Sequence, residues 1–373
     1  HKYGDYKPYL IKSMDKGKSW ELINGNLPNR LLTWRLVQDH VNKDLIFLAA
    51  EYGIYFTSDG GTNWIQLKGG LPTISFRDIT IQRRENDLVG ASFGRGFYIL
   101  DDMSPLRDFD ISMMQKEASL FKTKPAYWYT QASRVGSQGD NEYKAKNRPY
   151  GATFTYFMND KIKSLKDVRK AREKTNTDFP GWDALEEEAN QDGPEVLLII
   201  KDKNGDLVNT VRGTNKKGFS RISWPLTYAS KRPERLQDQT SGRFFGRGGM
   251  RVTPGTYSVT LVKRVDGKTT VLAGPQSFDV IPMYDGALPR KSFEEMNAFR
   301  LEVNAFTEDL TATNMVLSNS IRTIDAMKRA AVKADKSNEA VLVKINNVRL
   351  QLQKINKTMN GHPIKGEIGE RSD

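Results

Sequence analysis

The chain has 373 residues, of which 38% are hydrophobic and 27% charged, and a formal net charge of +12 at neutral pH. This length predicts two or three folded domains. The chain has no cysteine, which excludes disulfides and thiol nucleophiles. It has three histidines, so a histidine-rich metal site is not expected, and no cofactor is predicted. No stretch of 18 apolar residues occurs, so no membrane-spanning segment is predicted.

A short phrase occurs twice in the first hundred residues, with a spacing of 44 residues between its aspartates and between its tryptophans. A fixed period of this length is typical of propeller blades. The aspartate can accept hydrogen bonds from its own turn, the glycine supplies positive φ, and the tryptophan is expected to return into the apolar layer. The residues given this structural role, not a catalytic one, are Asp15, Gly17 and Trp20 in the first copy and Asp59, Gly61 and Trp64 in the second.

Short strands surround both copies. In the first repeat they are predicted at 34–38, 45–50, 54–57 and 63–67, and in the second at 76–82, 88–93 and 97–100. Residues 87–98 match residues 44–55 with a shift of 43, which makes Asp101-Asp102 a degenerate copy of the phrase. A propeller needs about four to eight blades, and His1 is not an initiator methionine. We therefore expect most of the propeller to lie upstream.

The repeated phrase resembles the Asp box of the bacterial neuraminidase repeat, S-x-D-x-G-x-T-W, which occurs in sialidases, xyloglucanases and the sortilin family. The resemblance implies that residues 1–103 are the final blades of a β-propeller whose Asp boxes lie on the face away from the active site. The whole chain is similar to the C-terminal portion of large sortilin-like propeller proteins of bacteria. That similarity implies a secreted, periplasmic or cell-surface location.

The turns at the other rim of such blades are where propellers usually bind ligands. Arginines and aromatic side chains together suit an anionic or planar partner, although ordinary exposed rim residues remain the alternative. The predicted ligand-binding residues are Trp34, Arg35, Glu51, Tyr52, Arg77 and Arg95. No catalytic residue is predicted.

Residues 104–150 are predicted to be a linker leading into a second β region, 151–283, whose many short strands are typical of a sandwich. Three phrases in this region resemble the immunoglobulin-like module of flagellar hook-capping proteins, a module that is usually a spacer or docking unit. They are Asp202-Lys203-Asn204-Gly205, Trp224-Pro225-Leu226 and Pro254-Gly255-Thr256-Tyr257.

Two insertions interrupt the predicted sandwich. Residues 161–191 are charged and helical in pattern, with Ser164 and Asp167 at capping-box spacing, and residues 231–251 form an arginine-rich loop. A single Arg-Gly-Gly in that loop is weak evidence for RNA binding. Because the lysines are scattered along the chain, we expect a solvated basic surface and no nucleic-acid partner.

The segment 289–360 has the pattern of an antiparallel helical hairpin, followed by a tail at 361–373. Ser292 and Glu295 have N-cap spacing. The apolar seam is formed by Met296, Phe299, Val303, Phe306, Leu310, Leu317, Ile321 and Ile324, and then by Val341, Ile345, Val348, Leu352, Ile355 and Met359. Two helices make a poor core by themselves, so the hairpin is expected to dock on another element or protein.

These patterns predict a mainly β, multidomain chain, with a partial β-propeller, a β-sandwich and a helical hairpin. The predicted function is non-enzymatic binding of a protein or glycan on the propeller face, with docking through the hairpin to a cell-surface or outer-membrane complex. The alternative is a glycoside hydrolase, sialidase-like or related, whose catalytic residues lie mostly upstream. Its two carboxylates cannot be assembled from this stretch, since Glu51 and Arg95 are the only fragments of such a site.

Overall fold

The computed structural model describes residues 2–131, 145, 147–176, 178–230, 249–284, 286, 291–334 and 338–362. Most of the arginine-rich loop, much of the predicted linker and the tail beyond residue 362 lie outside these ranges. The chain forms two compact units. One contains His1–Leu226 and Pro254–Tyr284, and the other contains Thr227–Thr253 and Asp285–Asp373.

The first unit begins with three antiparallel sheets in chain order. The first pairs β1 (Ile11–Lys12) with β2 (Glu21–Leu22) across the first Asp turn. The second contains β3 (Thr33–Gln38), β4 (Ile46–Ala50), β5 (Gly53–Thr57) and β6 (Ile65–Gln66), with the second Asp turn between β5 and β6. The third contains β7 (Phe76–Gln82), β8 (Asp87–Ser92) and β9 (Phe97–Leu100).

The two central strands of the four-stranded sheet, β4 and β5, are buried throughout. Because side chains alternate along a strand, they contribute to the packing on both faces of the sheet. Leu48 and Tyr55 face a cluster that includes Leu10, Ile23 and Trp64. The opposite face is packed against the third sheet. Its cluster contains Leu45, Phe47, Ala49, Ile54 and Phe56 from the four-stranded sheet and Phe76, Ile79 and Leu88 from the third.

Strand β8 is offset by one residue from the predicted alignment. The pairs that define the offset are Leu48 with Tyr55 in the second sheet and Gly90 with Tyr98 in the third. Residues of β9 are therefore 43 positions after their equivalents on β5, but residues of β8 are 42 positions after their equivalents on β4. The difference arises because the turn between β8 and β9 is one residue longer, and it is closed by the Ser92 N–H donating to the carbonyl of Gly96 (3.0 Å). A Cβ on Gly90 would lie 2.9 Å from Ile54 Cδ1 and 3.1 Å from Phe76 Cδ1, so a larger residue there would force these side chains to move.

The remainder of the first unit is a second β region. Its elements are β10 (Ala118–Leu120), β11 (Ala126–Trp128), β12 (Ala152–Met158), α1 (Leu165–Arg172), α2 (Trp182–Asn190), β13 (Glu195–Asp202), β14 (Leu207–Arg212), β15 (Gly218–Trp224), β16 (Gly255–Val265) and β17 (Lys268–Pro282). One sheet has the order β10-β12-β15, and the other has the order β11-β17-β16-β13-β14. The helices α1 and α2 fall in the predicted helical insertion.

The two sheets of this region pack through aromatic side chains. Phe154 on β12 lies 5.3 Å from Phe278 on β17, and Trp224 on β15 lies 5.5 Å from Tyr257 on β16, measured between ring centroids. Both pairs are edge-to-face, the arrangement that the ring quadrupole favours. The predicted turn between β13 and β14 is present, with Gly205 at φ 88°.

A shared aromatic cluster and one arginine join this region to the third sheet. Phe109 follows a 3-10 turn at Ser104–Arg107, and its ring lies 5.3 Å from that of Phe219 on β15. The guanidinium of Arg221, also on β15, donates to the carbonyl oxygens of Asp101 and Asp102 just after β9. The Asp101-Asp102 backbone is therefore an attachment point for the second β region.

The second unit contains the predicted antiparallel hairpin. α3 (Phe293–Lys333) begins after the N-cap Ser292, and α4 (Glu339–Asn360) begins after Asn338. Arg349 Nε donates to Asp325 Oδ1 at 3.0 Å, and Asn360 Nδ2 donates to Asn314 Oδ1 at 2.9 Å, which fixes the antiparallel register. Within the parts of the chain that the structure describes, no helix is long and apolar enough to cross a membrane.

Candidate functional site

The two Asp turns have the same internal geometry. Asp59 accepts hydrogen bonds from the Asn63 N–H (2.9 Å), from Asn63 Nδ2 (2.7 Å) and from Thr57 Oγ1 (2.7 Å). Asp15 accepts from the Ser19 N–H (2.8 Å) and from Ser19 Oγ (2.7 Å). The hydrogen bonds from Ser19 hold the pKa of Asp15 below its usual value. Both carboxylates thus serve their own turns, as ionised acceptors.

The tryptophans of the two turns have different surroundings. Trp64 is 4% exposed, and its Nε1 donates to the carbonyl of Ile23 at 2.9 Å. Trp20 is 60% exposed, so the expectation that both tryptophans enter the apolar layer is wrong for Trp20. The physical reason lies in what covers them. Trp64 is covered by residues about 40 positions earlier, such as Ile23, and no described residue covers Trp20 in the same way.

A compact polar and aromatic cluster lies at the opposite end of these sheets. Glu51 Oε2 accepts from Trp34 Nε1 at 2.9 Å and from Ser75 Oγ at 3.0 Å, and it lies 3.9 Å from Arg77 Nη2. Three of the predicted ligand-binding residues are thereby brought together. We call Trp34, Glu51, Ser75, Arg77 and Phe93 the rim cluster.

Arg77 lies between two aromatic rings in this cluster. Its Cζ is 3.7 Å from the ring centroid of Trp34 and 5.0 Å from that of Phe93. The planar guanidinium can stack on both rings while it pairs with Glu51. The cluster is therefore pre-organised, since Arg77 is held by two faces and one carboxylate before any ligand arrives.

The other predicted residues surround the cluster without entering it. Arg35 Nε lies 3.5 Å from Asp78 Oδ1, and both side chains are exposed. Tyr52 is exposed, and its carbonyl accepts from Gln66 Nε2 at 2.8 Å. Arg95 is exposed in the turn between β8 and β9, two residues after Phe93. Both Arg35 and Arg77 already face carboxylates, so the rim is less cationic than its composition indicates.

Two members of the rim cluster escaped the sequence analysis. Ser75 immediately precedes β7, and its hydroxyl donates to Glu51 across 24 positions of sequence. Phe93 sits in the β8–β9 turn and is 70% exposed. Ser75 lies in a turn at this rim, just before the strand predicted at 76–82, whereas Phe93 was placed at the end of the strand predicted at 88–93. Their contacts depend on how two sheets meet, which no local pattern encodes.

The carboxylate of the rim cluster is engaged by its neighbours. Glu51 Oε2 accepts from Trp34 and Ser75 and lies 3.9 Å from Arg77 Nη2. A glycosidase needs two carboxyl groups placed on either side of the bond that breaks. Another carboxylate at this rim, Asp78, lies 3.5 Å from Arg35 Nε. Phe93, whose ring is 70% exposed beside the arginine, can stack on planar or sugar-ring surfaces.

Two concavities lie elsewhere in the first unit. One of about 550 Å³ is lined by residues of α2 and by Asp266, and another of about 540 Å³ includes Arg212 and Arg264. Among the described residues, no group of three His, Asp or Glu side chains is placed to hold a metal ion. We base the candidate site on the side-chain chemistry of the rim cluster.

No family model matches the chain, and no characterised protein matches its sequence. The similar solved structures include two structures of the extracellular domain of BT4673 from B. thetaiotaomicron, a protein described in one as a putative one-component system and in the other as a putative hybrid two-component system. The first is 11% identical with a TM-score of 0.20, over 74% of this chain and 28% of that one. The second is 10% identical with a TM-score of 0.21, over 75% of this chain and 32% of that one. The chain thus spans about a third or less of those proteins, and scores this low carry no argument about fold or function.

Proposed function

We propose that this chain is a non-enzymatic binding and scaffold protein of the bacterial cell envelope. The rim cluster binds a glycan or protein ligand, and the α3–α4 hairpin docks the molecule to a protein partner. The observation that carries the proposal is Arg77 held between Trp34 and Phe93 and paired with Glu51. That arrangement presents ordered aromatic surface without a free pair of carboxylates. The envelope location rests on the Asp-box resemblance.

We propose further that the first three sheets are consecutive blades of a β-propeller. Support comes from the faces of the equivalent strands. Leu48 and Tyr55 face the preceding sheet, and their equivalents Gly90 and Tyr98 also pair with each other and face the preceding sheet. A constant stacking direction from one sheet to the next is what a propeller requires.

The outward face of the third sheet supports the same proposal. Phe97 and Ile99 occupy the places of Ile54 and Phe56, yet they are 76% and 62% exposed, whereas Ile54 and Phe56 are 2% and 1% exposed. The equivalent face of the four-stranded sheet is covered by the next sheet. A further blade of the same kind would cover Phe97 and Ile99 in the same way.

A glycoside hydrolase remains the second candidate, because Asp-box propellers include sialidases and the rim carries Glu51 beside arginines. In that case Glu51 would act as one of the two carboxylates and the second would come from another blade. The pairing of Glu51 with Trp34, Ser75 and Arg77 supports a positioning role in binding instead.

The test is to screen the purified chain against a glycan array and to measure affinity for each positive glycan. The R77A and W34A variants should lose most of the affinity, because they remove the stacked guanidinium and one of its two rings. R84A is the matched control, since the Arg84 side chain is 82% exposed in the turn at the other end of β7. Hydrolysis of a chromogenic glycoside by the wild-type chain, abolished in E51Q, would replace binding with the hydrolase. Equal affinity of R77A and wild type for every ligand would overturn the rim as the site.

A further inference from the structure

The helix α3 extends well beyond its partner helix. α4 ends at Asn360, which is hydrogen bonded to Asn314, so α4 covers α3 only from about that residue onward. Residues 294–313 project past this point, a length of about 30 Å at the rise of an α-helix. Tyr228 Oη contacts Asn297 Oδ1 at 3.4 Å near the first turn. We call residues 294–313 the free half of α3.

An apolar stripe runs along the free half in register with the seam that α4 covers. Met296, Val303 and Leu310 are spaced by seven residues, and the same spacing leads to the buried Leu317 and Ile324. Phe299 and Phe306 occupy the alternate positions of the same heptads and are 66% and 69% exposed. A heptad stripe is the pattern by which one helix packs on another. The stripe therefore continues an existing helix–helix interface beyond the end of its partner.

Acidic residues border this stripe on one side. Glu295, Glu302 and Asp309 are also spaced by seven residues, each immediately before an apolar residue of the stripe. In two-helix interfaces this flanking position selects partners by charge. Residues 294–313 carry five acidic side chains and one basic one, whereas residues 314–360 carry nine basic and three acidic. The free half is thus an acidic segment of an otherwise basic hairpin.

The charges argue against a second copy of the free half as the occupant. Two free halves laid antiparallel would place the three flanking carboxylates of each copy against those of the other. Laid parallel, only Glu295 would meet a cation, Arg300, and each segment would keep a net charge of −4. Like charges across a helix interface are destabilising. A helix with lysine or arginine at its flanking positions would satisfy the stripe and the carboxylates together.

We propose that the free half of α3 binds a basic amphipathic α-helix of another protein, which takes up the seam where α4 ends. This proposal rests on the docking role of the hairpin proposed above, and it adds the site and the chemistry of the partner. The five apolar side chains from Met296 to Leu310 supply the buried surface. The three flanking carboxylates select a cationic helix and make binding sensitive to salt.

A synthetic peptide tests this with the full chain. The probe has about four heptads with leucine and isoleucine in the seam and lysine at both flanking positions, and its matched control has glutamate at those flanking positions. Binding is measured by fluorescence anisotropy of the labelled peptide. The V303D/F306D variant removes the stripe, and E302K/D309K reverses two flanking charges. V332D is the control variant, because Val332 is exposed near the other end of α3.

We expect saturable binding of the lysine peptide and at least about tenfold weaker binding of the glutamate peptide. V303D/F306D should weaken binding by at least about tenfold, with helical content retained, whereas V332D should bind as the wild type does. E302K/D309K should bind the glutamate peptide more tightly than the lysine peptide. Because α4 does not cover the substituted positions, the hairpin itself should remain folded in every variant.

Three results would overturn the proposal as a whole, and a fourth would overturn the assigned site. The first is failure of the wild-type chain to bind the lysine peptide, and the second is equal binding of both peptides. The third is concentration-dependent self-association that V303D/F306D abolishes, since this would assign the stripe to a second copy. Loss of peptide binding in V343D/L350D on α4, with none in V303D/F306D, would leave the docking role standing and remove the assigned site. The rim function is measured with other variants and ligands, so its failure is recognised separately.

Discussion

Arg107 and Asp39 form a two-bond ion pair across 68 positions of sequence, with Nε to Oδ2 at 2.8 Å and Nη2 to Oδ1 at 2.9 Å. Asp39 follows β3, and Arg107 ends the 3-10 turn that comes after β9. The Asp39 side chain is fully buried and that of Arg107 nearly so. The pair therefore ties the second and third sheets together at the end that carries the Asp turns.

Replacing Arg107 with alanine should destabilise the protein by about 3–5 kcal/mol at neutral pH, because it leaves a buried carboxylate without its cation. Urea unfolding measures the loss. R84A is the control, since that arginine is exposed and its replacement should change the unfolding free energy by less than about 0.5 kcal/mol.

Acidification should shrink the difference between R107A and wild type. Burial by itself would raise the pKa of Asp39, but hydrogen bonds from Arg107, Asn42 and Val41 outweigh it and lower the pKa below 3.8. In the wild type, the ionised Asp39 makes its full contribution to the free energy of unfolding above the unfolded pKa of 3.8. This contribution is lost as the pH falls through the lower pKa of the folded state. In R107A burial dominates, so the carboxyl takes up a proton at higher pH. An equal loss of stability at neutral pH and at about pH 3 would contradict this account.

The two Asp-turn tryptophans should differ sharply in their effect on stability. Trp64 is buried and donates to Ile23, so W64A should cost about 3–5 kcal/mol. Trp20 is mostly exposed, so W20A should cost less than about 0.5 kcal/mol. Denaturant unfolding of the two variants measures the contrast. Equal costs would mean that the two turns have like surroundings in solution.

Two phenylalanines on equivalent strands offer a matched test of the stacking order. F56A should lower the unfolding free energy by about 3–5 kcal/mol, because Phe56 is buried between two sheets. F97A should change it by less than about 0.5 kcal/mol and should reduce binding of a hydrophobic dye, because Phe97 is exposed on the outward face. A large loss of stability in F97A would show that its face is already covered in the chain as it stands.

Arg221 should not tolerate lysine. Its guanidinium donates to two successive carbonyls, of Asp101 and Asp102, and a lysine ammonium lacks the planar fork that reaches both. We expect R221K to cost about 1–3 kcal/mol, because a buried carbonyl loses its donor. R212K is the control, since the Arg212 side chain is 75% exposed. Calorimetry compares the two, and equal melting temperatures would refute the role of this contact.

The features that the sequence predicted well depend on local patterns. The repeated phrase places Asp15 and Asp59 in equal turns, because a carboxylate four residues before an N–H closes the same loop wherever it occurs. The heptads of α3 and α4 predict a hairpin, because side-chain spacing on a helix is constant. The alternation of apolar residues likewise places the strands to within a few positions.

The features that the sequence did not predict depend on which sheets pack against each other in the fold. One extra residue in the β8–β9 turn places Gly90, not its predicted counterpart, against Ile54. The exposure of Trp20 and the contact of Ser75 with Glu51 both follow from how sheets stack.

The sequence by itself determines the repeated β turns, the mainly β body and the C-terminal helix pair of this protein, because hydrogen bonding within turns and helices is short-range. Tertiary structure alone decided that Arg77 contacts two rings, that Asp39 pairs with Arg107, and that no helix among the described residues covers the first half of α3. Those relationships join residues tens of positions apart. Their energies come from burial and charge pairing, which depend on the packed neighbours and not on spacing along the chain.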